Sequence, residues 1–285
     1  MPDGYSNYLR EQKKRSELTI DEHVRQITFF FNYLIQKYSK EKVKELYEIN
    51  SRDVKDYLNM KKSRGLKPKT INKILAILKS YFDYLERVGK VPIDPAVKIP
   101  YLPTDSNRDV LNYSRLLEIY PEVLEHPKYS LLRKSIFILA IKGFRISDFH
   151  FVKDDIKFYN NTLTILTGEN KQRILYLIDK EYEIFAEYYY QTLLDESEYV
   201  FKSKSKNGDI TPIDKVTVYI NLKAIAKDFN IEHFSLNELR LSYAHFLSFN
   251  KKMPNNEIAN ILGTKEESIS SMVKRLKDSK VSLET

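Results

Sequence analysis

Apolar side chains recur at helical spacing from residue 20 to residue 85, and the pattern then stops at a series of prolines. Ile20, Val24, Ile27, Phe30, Phe31 and Leu34 fall on one face of a first helix. Val54, Tyr57 and Leu58 follow Asn50-Ser51 and mark a second, shorter one. Ile71, Ile74, Leu75, Leu78, Phe82 and Leu85 mark a third, which begins at Lys69-Thr70 and closes at Gly89. Thr19 is the expected N-cap of the first. Asp94-Pro95, Pro100 and Pro103 break the pattern, because proline offers no helical N–H and disfavours helix in the residue before it. The spacing predicts a helical unit over 1–100, a linker over 101–109 and a second unit over 110–285. A chain of 285 residues is long enough to give each unit a core.

The second unit mixes periods. Leu131 to Ile141 is a largely apolar run ending at Gly143 and reads as a buried helix. Strand-like runs follow between 150 and 178: Phe151-Val152, Ile156-Lys157-Phe158, Leu163 to Leu166, and Arg173 to Leu177. Asn160-Asn161 and Gly168-Glu169-Asn170 supply turns, so a small antiparallel sheet is expected. A tyrosine-rich helix follows through Ile184, Phe185, Tyr188 and Tyr189. A basic loop from Lys202 to Gly208 then leads to three helical runs that start near Asp214, Leu236 and Asn255. The expected fold class is mainly α with a small antiparallel β-sheet, in two domains.

The net charge of +8 is unevenly placed. Residues 1–100 hold 21 Lys/Arg against 13 Asp/Glu, whereas residues 101–285 hold 26 of each. Between Asp56 and Asp83 there is no acidic residue, and the turn Arg64-Gly65-Leu66-Lys67-Pro68-Lys69-Thr70 runs straight into a helix N-terminus. Free backbone N–H groups, the helix dipole, the Thr70 hydroxyl and the flanking lysines together favour a phosphate. Asn72 and Lys73 follow on the first turn, where they reach base edges if the helix enters a major groove. A polyanion partner such as DNA is expected, with Arg64, Lys67, Lys69, Thr70, Asn72 and Lys73 as contacts; a solvated basic face is the alternative.

Several classes are excluded or disfavoured. The chain has no cysteine, hence no disulfide, thiolate metal site or cysteine nucleophile. Its five histidines, at 23, 126, 150, 233 and 245, show no zincin spacing, and no glycine-rich phosphate loop occurs. No metal and no cofactor is expected. No apolar run is long enough to span a bilayer, and the N-terminus lacks a signal-peptide core, so a cytoplasmic protein with no membrane partner is expected.

The motifs of the second unit converge. Gly143-Phe144-Arg145-Ile146-Ser147-Asp148 resembles the G-x-R-x-S-E box of the tyrosine recombinases, the phage-integrase and Xer class. Gly168 to Arg173 resembles their lysine-bearing β-turn, Asn237-Glu238-Leu239-Arg240 their H-x-L-R, and Ile261-Leu262-Gly263-Thr264 their leucine-glycine-histidine step. In the first unit Gly65 to Lys73 is similar to the G-L-S-P-x-T-I-N-x entry of their core-binding domain, and Asp94-Pro95-Ala96 to its closing N-P-A. The resemblance covers roughly residues 15–275 in the family's order. It implies a SAM-like helical core-binding domain followed by a catalytic-fold domain.

The departures bear on function. Arg145 and Arg240 match the family's two catalytic arginines and Lys171 its hairpin lysine, while Asn237 and Thr264 replace its histidines. The tyrosine position falls near Met272-Val273, and no tyrosine occurs after Tyr243. In such enzymes the arginines hold the scissile phosphate and tyrosine attacks it, so the resemblance implies a retained phosphate clamp and a lost first chemical step. The expected protein is no enzyme. It binds a specific site on double-stranded DNA as a two-domain clamp, as a transcriptional repressor of a phage or mobile element, and is similar to the repressors of SPβ-type phages. An active recombinase with an atypical or trans nucleophile is the alternative. Expected contacts in the second unit are Arg145, Lys171, Lys204, Tyr219, Lys223 and Arg240, with base reading along the helix of Val216, Tyr219, Asn221 and Lys223. Arg240→Ala is expected to weaken binding and leave the fold intact. Other roles stay open: Arg145 paired with Asp148, Lys171 merely exposed, Arg240 as a cap or a surface cation, Asn237 as a helix cap, and residues 254–276 as a helix-turn-helix. Family members exchange C-terminal segments between protomers, which makes Leu276 to Thr285 a candidate for assembly of copies on DNA.

Overall fold

A computed structural model describes residues 3–38, 44–104, 111–160, 162–167, 173–205, 207–232 and 234–281, apart from the side chains of 3 and 275–281. It forms two compact units, Met1–Asp105 and Ser106–Thr285.

The first unit is helical. A short helix, α1 (Asp3–Asn7), runs through a wide turn at Tyr8–Gln12 into α2 (Glu17–Tyr38), followed by α3 (Ser51–Ser63) and α4 (Pro68–Arg87). The helix at α2 begins two residues before Thr19. The amides of Thr19 and Ile20 both donate to Ser16 O, so Thr19 sits inside the first turn rather than at the N-cap. Asn50 caps α3 by accepting from the amides of Arg52 and Asp53. The core joins Ile27 and Phe30 of α2, Val54 and Tyr57 of α3, and Ile74, Leu78 and Phe82 of α4. Phe30 meets Tyr57 and Phe82 edge-on at 5.2 and 5.9 Å. α1 docks through Tyr5, whose hydroxyl lies 2.9 Å from His23 Nδ1 and donates to Ser80 Oγ at 2.9 Å.

In the second unit α6 (Leu131–Ile141) is buried on every side from Ser135 to Ile141 and therefore central. It packs against α5 (Tyr113–Glu125), α7 (Asp179–Thr192), α8 (Lys215–Asp228) and α9 (Leu236–His245). Three antiparallel strands, β1 (Ile156–Tyr159), β2 (Thr162–Thr167) and β3 (Arg173–Ile178), form a sheet in the order β1-β2-β3. Phe151-Val152 is not one of its strands, since Val152 makes only an isolated bridge to Tyr199. The basic stretch expected as a loop begins instead as a strand: β4 (Lys202–Lys204) pairs with β5 (Ile210–Pro212). After α9 come α10 (Asn255–Leu262) and α11 (Glu266–Val281). The architecture is mainly helical with small antiparallel sheets, as the periodicity predicts.

Burial holds the His23 pKa below its ordinary value, and the charges of Arg15 and Lys73 push the same way. Folded His23 therefore binds fewer protons than the unfolded side chain, whose pKa is about 6.5. This contribution to stability is present above that pH and is lost as pH falls through it. Thermal melts between about pH 7 and pH 5 should show a fall in Tm that His23→Gln flattens; an unchanged slope in the variant excludes His23 as the source.

Candidate functional site

Two helices of the second unit end beside one another; two guanidiniums serve both ends and a third serves one. α6 stops because Gly143 takes a φ of +79°, which turns the chain back over the helix end. α10 stops likewise at Gly263, with φ +57°. The last carbonyls of a helix lack intrahelical partners and carry partial negative charge. At α10 three consecutive carbonyls each meet a different arginine. Arg173 Nε donates to Ile261 O at 2.8 Å, Arg240 Nη2 to Leu262 O at 2.8 Å, and Arg145 Nη2 to Gly263 O at 3.0 Å. At α6, Arg173 Nη2 donates to Lys142 O and Arg240 Nη1 to Gly143 O, both at 2.6 Å.

Asp148 supplies the counter-charge. It is buried, and its carboxylate accepts from the Arg145 amide at 2.8 Å, from Arg145 Nη2 at 3.4 Å and from Arg173 Nη1 at 3.3 Å. Arg240 Nη1 lies 3.9 Å from it. The Arg173 guanidinium also sits 4.5 Å over the Phe144 ring. Burial lowers the pKa of Arg173 to about 10 against the opposing pull of Asp148. Burial also lowers that of Arg240 to about 10, assisted by the charges of Arg145 and Arg173. One carboxylate and two helix ends of roughly half a charge each leave three guanidiniums under-compensated by about one charge. An anion is the natural complement.

A cavity of about 500 Å³ opens on this cluster. Arg145, Arg240, Asn237 and Thr264 all line it, joined by Lys215 and Tyr219 of α8 and by Ser268 and Met272 of α11. Arg145, Tyr219, Asn237, Arg240, Thr264 and Met272, all singled out from the sequence, thus meet at one place. Val273 does not line the cavity and packs instead on the apolar cluster of Ala244, Leu247 and Ile258. Lys171 lies outside the described residues. Lys204 is exposed on β4, and Lys223 is exposed on α8 with its ammonium 5.8 Å from the Tyr219 ring. Tyr243 stacks on Tyr113 with ring centres 5.1 Å apart, a packing role.

Some expectations are corrected. Asn237 does not cap α9; Ser235 does, accepting from the Glu238 amide at 3.4 Å. Of the two alternatives for Arg240 the cap holds, since it donates to the terminal carbonyls of two helices, and the surface cation does not, since only 4% of its side chain is exposed. Asn221, expected to read bases, has both ends of its amide engaged within the chain: its Oδ1 accepts from Arg133 Nε at 3.3 Å and its Nδ2 donates to Thr217 O at 2.9 Å. α10 and α11 do form two helices about a turn, but Ile269 is buried and Ser268 and Met272 face the cavity, so the start of α11 is committed to packing.

In the first unit Arg64, Lys67, Lys69, Thr70 and Lys73 are exposed around the α3–α4 turn, where Gly65 has φ +82°. Asn72 is not free to reach a base. Its Nδ2 donates to Leu102 O and its Oδ1 accepts from Leu102 N, both at 2.8 Å, which pins the segment after α4 to that helix. Lys73 pairs with Glu22 at 2.8 Å, a surface contact worth at most about 1 kcal/mol.

Arg173 went unrecognised in the sequence because it stands at the head of an ordinary strand. A signal was nonetheless present: Arg173 shares its strand parity with Leu175 and Leu177, the inward side of β3. Asp148 was legible only as a partner for Arg145, and Lys215 carried no signal.

The family described as "Phage integrase, N-terminal SAM-like domain" matches residues 3–89. Tyrosine recombinase XerC of Staphylococcus aureus (strain USA300 / TCH1516) is 24% identical over 176 residues, which span 61% of this chain and 57% of that protein. Among solved structures, the XerH site-specific recombinase bound to difH substrate in a pre-cleavage complex superposes with a TM-score of 0.69 at 18% identity, covering 96% of this chain and 83% of that one. A lambda integrase (75–356) dimer bound to a COC' core site gives 0.64 at 15%, covering 95% and 93%. The fold is that of the DNA strand-exchange enzymes of the integrase type. By sequence over part of its length and by fold over nearly all of it, the chain is similar to the tyrosine recombinases.

Removing Arg240 orphans two buried carbonyls and leaves the cluster around Asp148 incomplete, so the expectation that Arg240→Ala spares the fold is reversed. Urea denaturation should show a loss of about 3–5 kcal/mol for Arg240→Ala and for Arg173→Ala. Arg145→Ala, whose side chain is 42% exposed, should cost less than half of that. Equal losses at all three positions would show that burial does not govern their contribution.

Proposed function

We propose that this chain is a sequence-specific binder of double-stranded DNA built on the tyrosine recombinase fold, that it does not cut the strand, and that it acts as a transcriptional repressor of a phage or mobile element. Residues 1–100 are assigned as the core-binding unit, 101–109 as the linker and 110–285 as the integrase-like unit. One observation carries the proposal. Arg145 and Arg240 share a cavity with Asn237, Thr264, Ser268 and Met272, and among the described residues neither tyrosine nor histidine lines it except Tyr219, on α8. Two guanidiniums with residual positive charge suit a backbone phosphate. Arg145 Nε, buried and donating to no protein acceptor among the described residues, adds a further N–H. An attacking oxygen with a base beside it is what cleavage requires, and holding phosphate without one gives affinity rather than turnover.

The basic excess of residues 1–100 supports the same function, since phosphate neutralisation supplies much of the affinity for DNA. So do the DNA-bound complexes of the structural neighbours. Lys171, Lys204, Tyr219 and Lys223 are assigned as contacts of the second unit, and Arg64, Lys67, Lys69, Thr70 and Lys73 as those of the first. Repression follows from occupying a promoter. The protein acts in the cytoplasm of a bacterial host. Among the described residues no helix is long and apolar enough to cross a membrane. The C-terminal segment is assigned to assembly of copies on DNA.

A second function is favoured by Ser268, a hydroxyl on the cavity wall: an active recombinase with an unusual nucleophile. Incubation with nicked duplex separates the two. No adduct surviving denaturation is expected, and a covalent protein–DNA adduct would establish the second. For the first unit, Lys67→Gln with Lys69→Gln should weaken binding to all duplexes and reduce the log–log salt slope by about 0.9 for each phosphate no longer neutralised. A slope equal to that of the wild type would remove this turn from the interface.

A further inference from the structure

α8 carries two distinct surfaces. Val218, Leu222 and Ile225 face the core, and the flank bearing Lys215 and Tyr219 walls the arginine cavity. The side opposite the core carries Val216, Tyr219, Ile220 and Lys223, within about 100° of arc at 3.6 residues per turn. It is open to solvent: Val216 is 63% exposed, Ile220 58% and Tyr219 49%. A single exposed valine needs no explanation. Three large apolar side chains on one face do, in a helix whose only charged residues from Lys215 to Lys227 are lysines.

Such a surface, apolar at its centre and positive at its rim, complements a partner that is negative at its edges and apolar between them. The major groove of duplex DNA has that character where thymine occurs. Phosphates line its edges, and the thymine 5-methyl is the apolar group a base presents there. A helix about 10–12 Å across fits a groove about 12 Å wide. Val216 and Ile220 have no polar side-chain atom with which to read the other base edges, and the one amide nearby, Asn221, is occupied by Arg133 and Thr217. Tyr219 belongs both to this face and to the arginine cavity, so a backbone phosphate held there sets the neighbouring groove beside the stripe. An anionic membrane shares the charge pattern, and vesicle binding distinguishes it from duplex DNA.

We infer that Val216 and Ile220 read thymine methyl groups, so that the recognised site is thymine-bearing where α8 enters the groove. The inference rests on the DNA binding proposed above. To test it, the full chain selects a duplex from a random-sequence pool, and that duplex is remade with deoxyuridine for thymidine one position at a time, which removes a methyl group and nothing else. Wild type should bind one or two of the remade duplexes about fourfold more weakly, the factor expected for one buried methyl-sized group. The double variant Val216→Ala with Ile220→Ala alters only exposed side chains, and its melting temperature should match that of wild type. It should bind the thymidine and deoxyuridine forms equally at those positions. Absence of any thymidine preference in wild type, or the same preference in the variant, overturns the inference while leaving DNA binding intact. Failure of wild type to select any duplex overturns the proposed function itself. Binding to phosphatidylserine vesicles that the variant loses, without a thymidine effect, assigns the stripe to a membrane and overturns the inference too.

Discussion

Two helix C-termini, at α6 and α10, converge in the second unit, and the carbonyls they leave unpaired have to be satisfied away from water. Arg173, Arg240 and Arg145 do this, one for each of three consecutive carbonyls of α10, with Asp148 balancing part of their charge. Ordinary helix ends are closed by glycine turns or by solvent. Here the glycine turns are present, and they bring two ends close enough to share the same guanidiniums. An added Cβ at Gly263 would stand 3.2 Å from Arg173 Cδ, and one at Gly143 would stand 2.6 Å from Leu262 Cδ2, so both turns depend on the missing side chain for space as well as for φ.

This arrangement separates two roles that the family motif joins. Arg145 and Arg240, which the sequence resemblance assigns to a phosphate, also bond the carbonyls that close α6 and α10. Arg240 is buried and structural to a degree its motif does not reveal, whereas Arg145 is 42% exposed and turned toward the cavity. Side chains across that cavity, such as Met272, carry no such burden. Loss of a buried arginine therefore breaks the cluster. Retained arginines in a chain of this fold are accounted for by its own stability and do not by themselves require turnover.

The first unit shows a comparable division. Asn72 stands in the first turn of α4, where a polar side chain could read bases, yet both ends of its amide are satisfied by the Leu102 backbone. The cations beside it, Lys67 and Lys69, are exposed and flank a helix start that begins with Pro68. On the proposed function, affinity for a polyanion resides in lysines that cost little to keep, and the amide contributes to the fold.

Much of the architecture was legible in the amino-acid sequence, because 3.6-residue and two-residue apolar periods and the prolines at 95, 100 and 103 act through neighbours along the chain. The helices from Ser51, Pro68, Leu131 and Asn255 and the strands from Ile156 and Arg173 follow from that local pattern. The ordered motifs also named Arg145 and Arg240 as partners. What the periodicity could not supply was the use of each polar group once helices packed. Arg173 as a third guanidinium, Asp148 as their shared carboxylate, Asn72 and Asn221 as satisfied amides, and Ser235 rather than Asn237 as the cap all depend on atoms brought together in the folded chain. Periodicity along the chain sets which face of an element is buried. Which donor meets which acceptor is decided only in the tertiary structure, because a buried polar group must find its partner in space rather than in sequence.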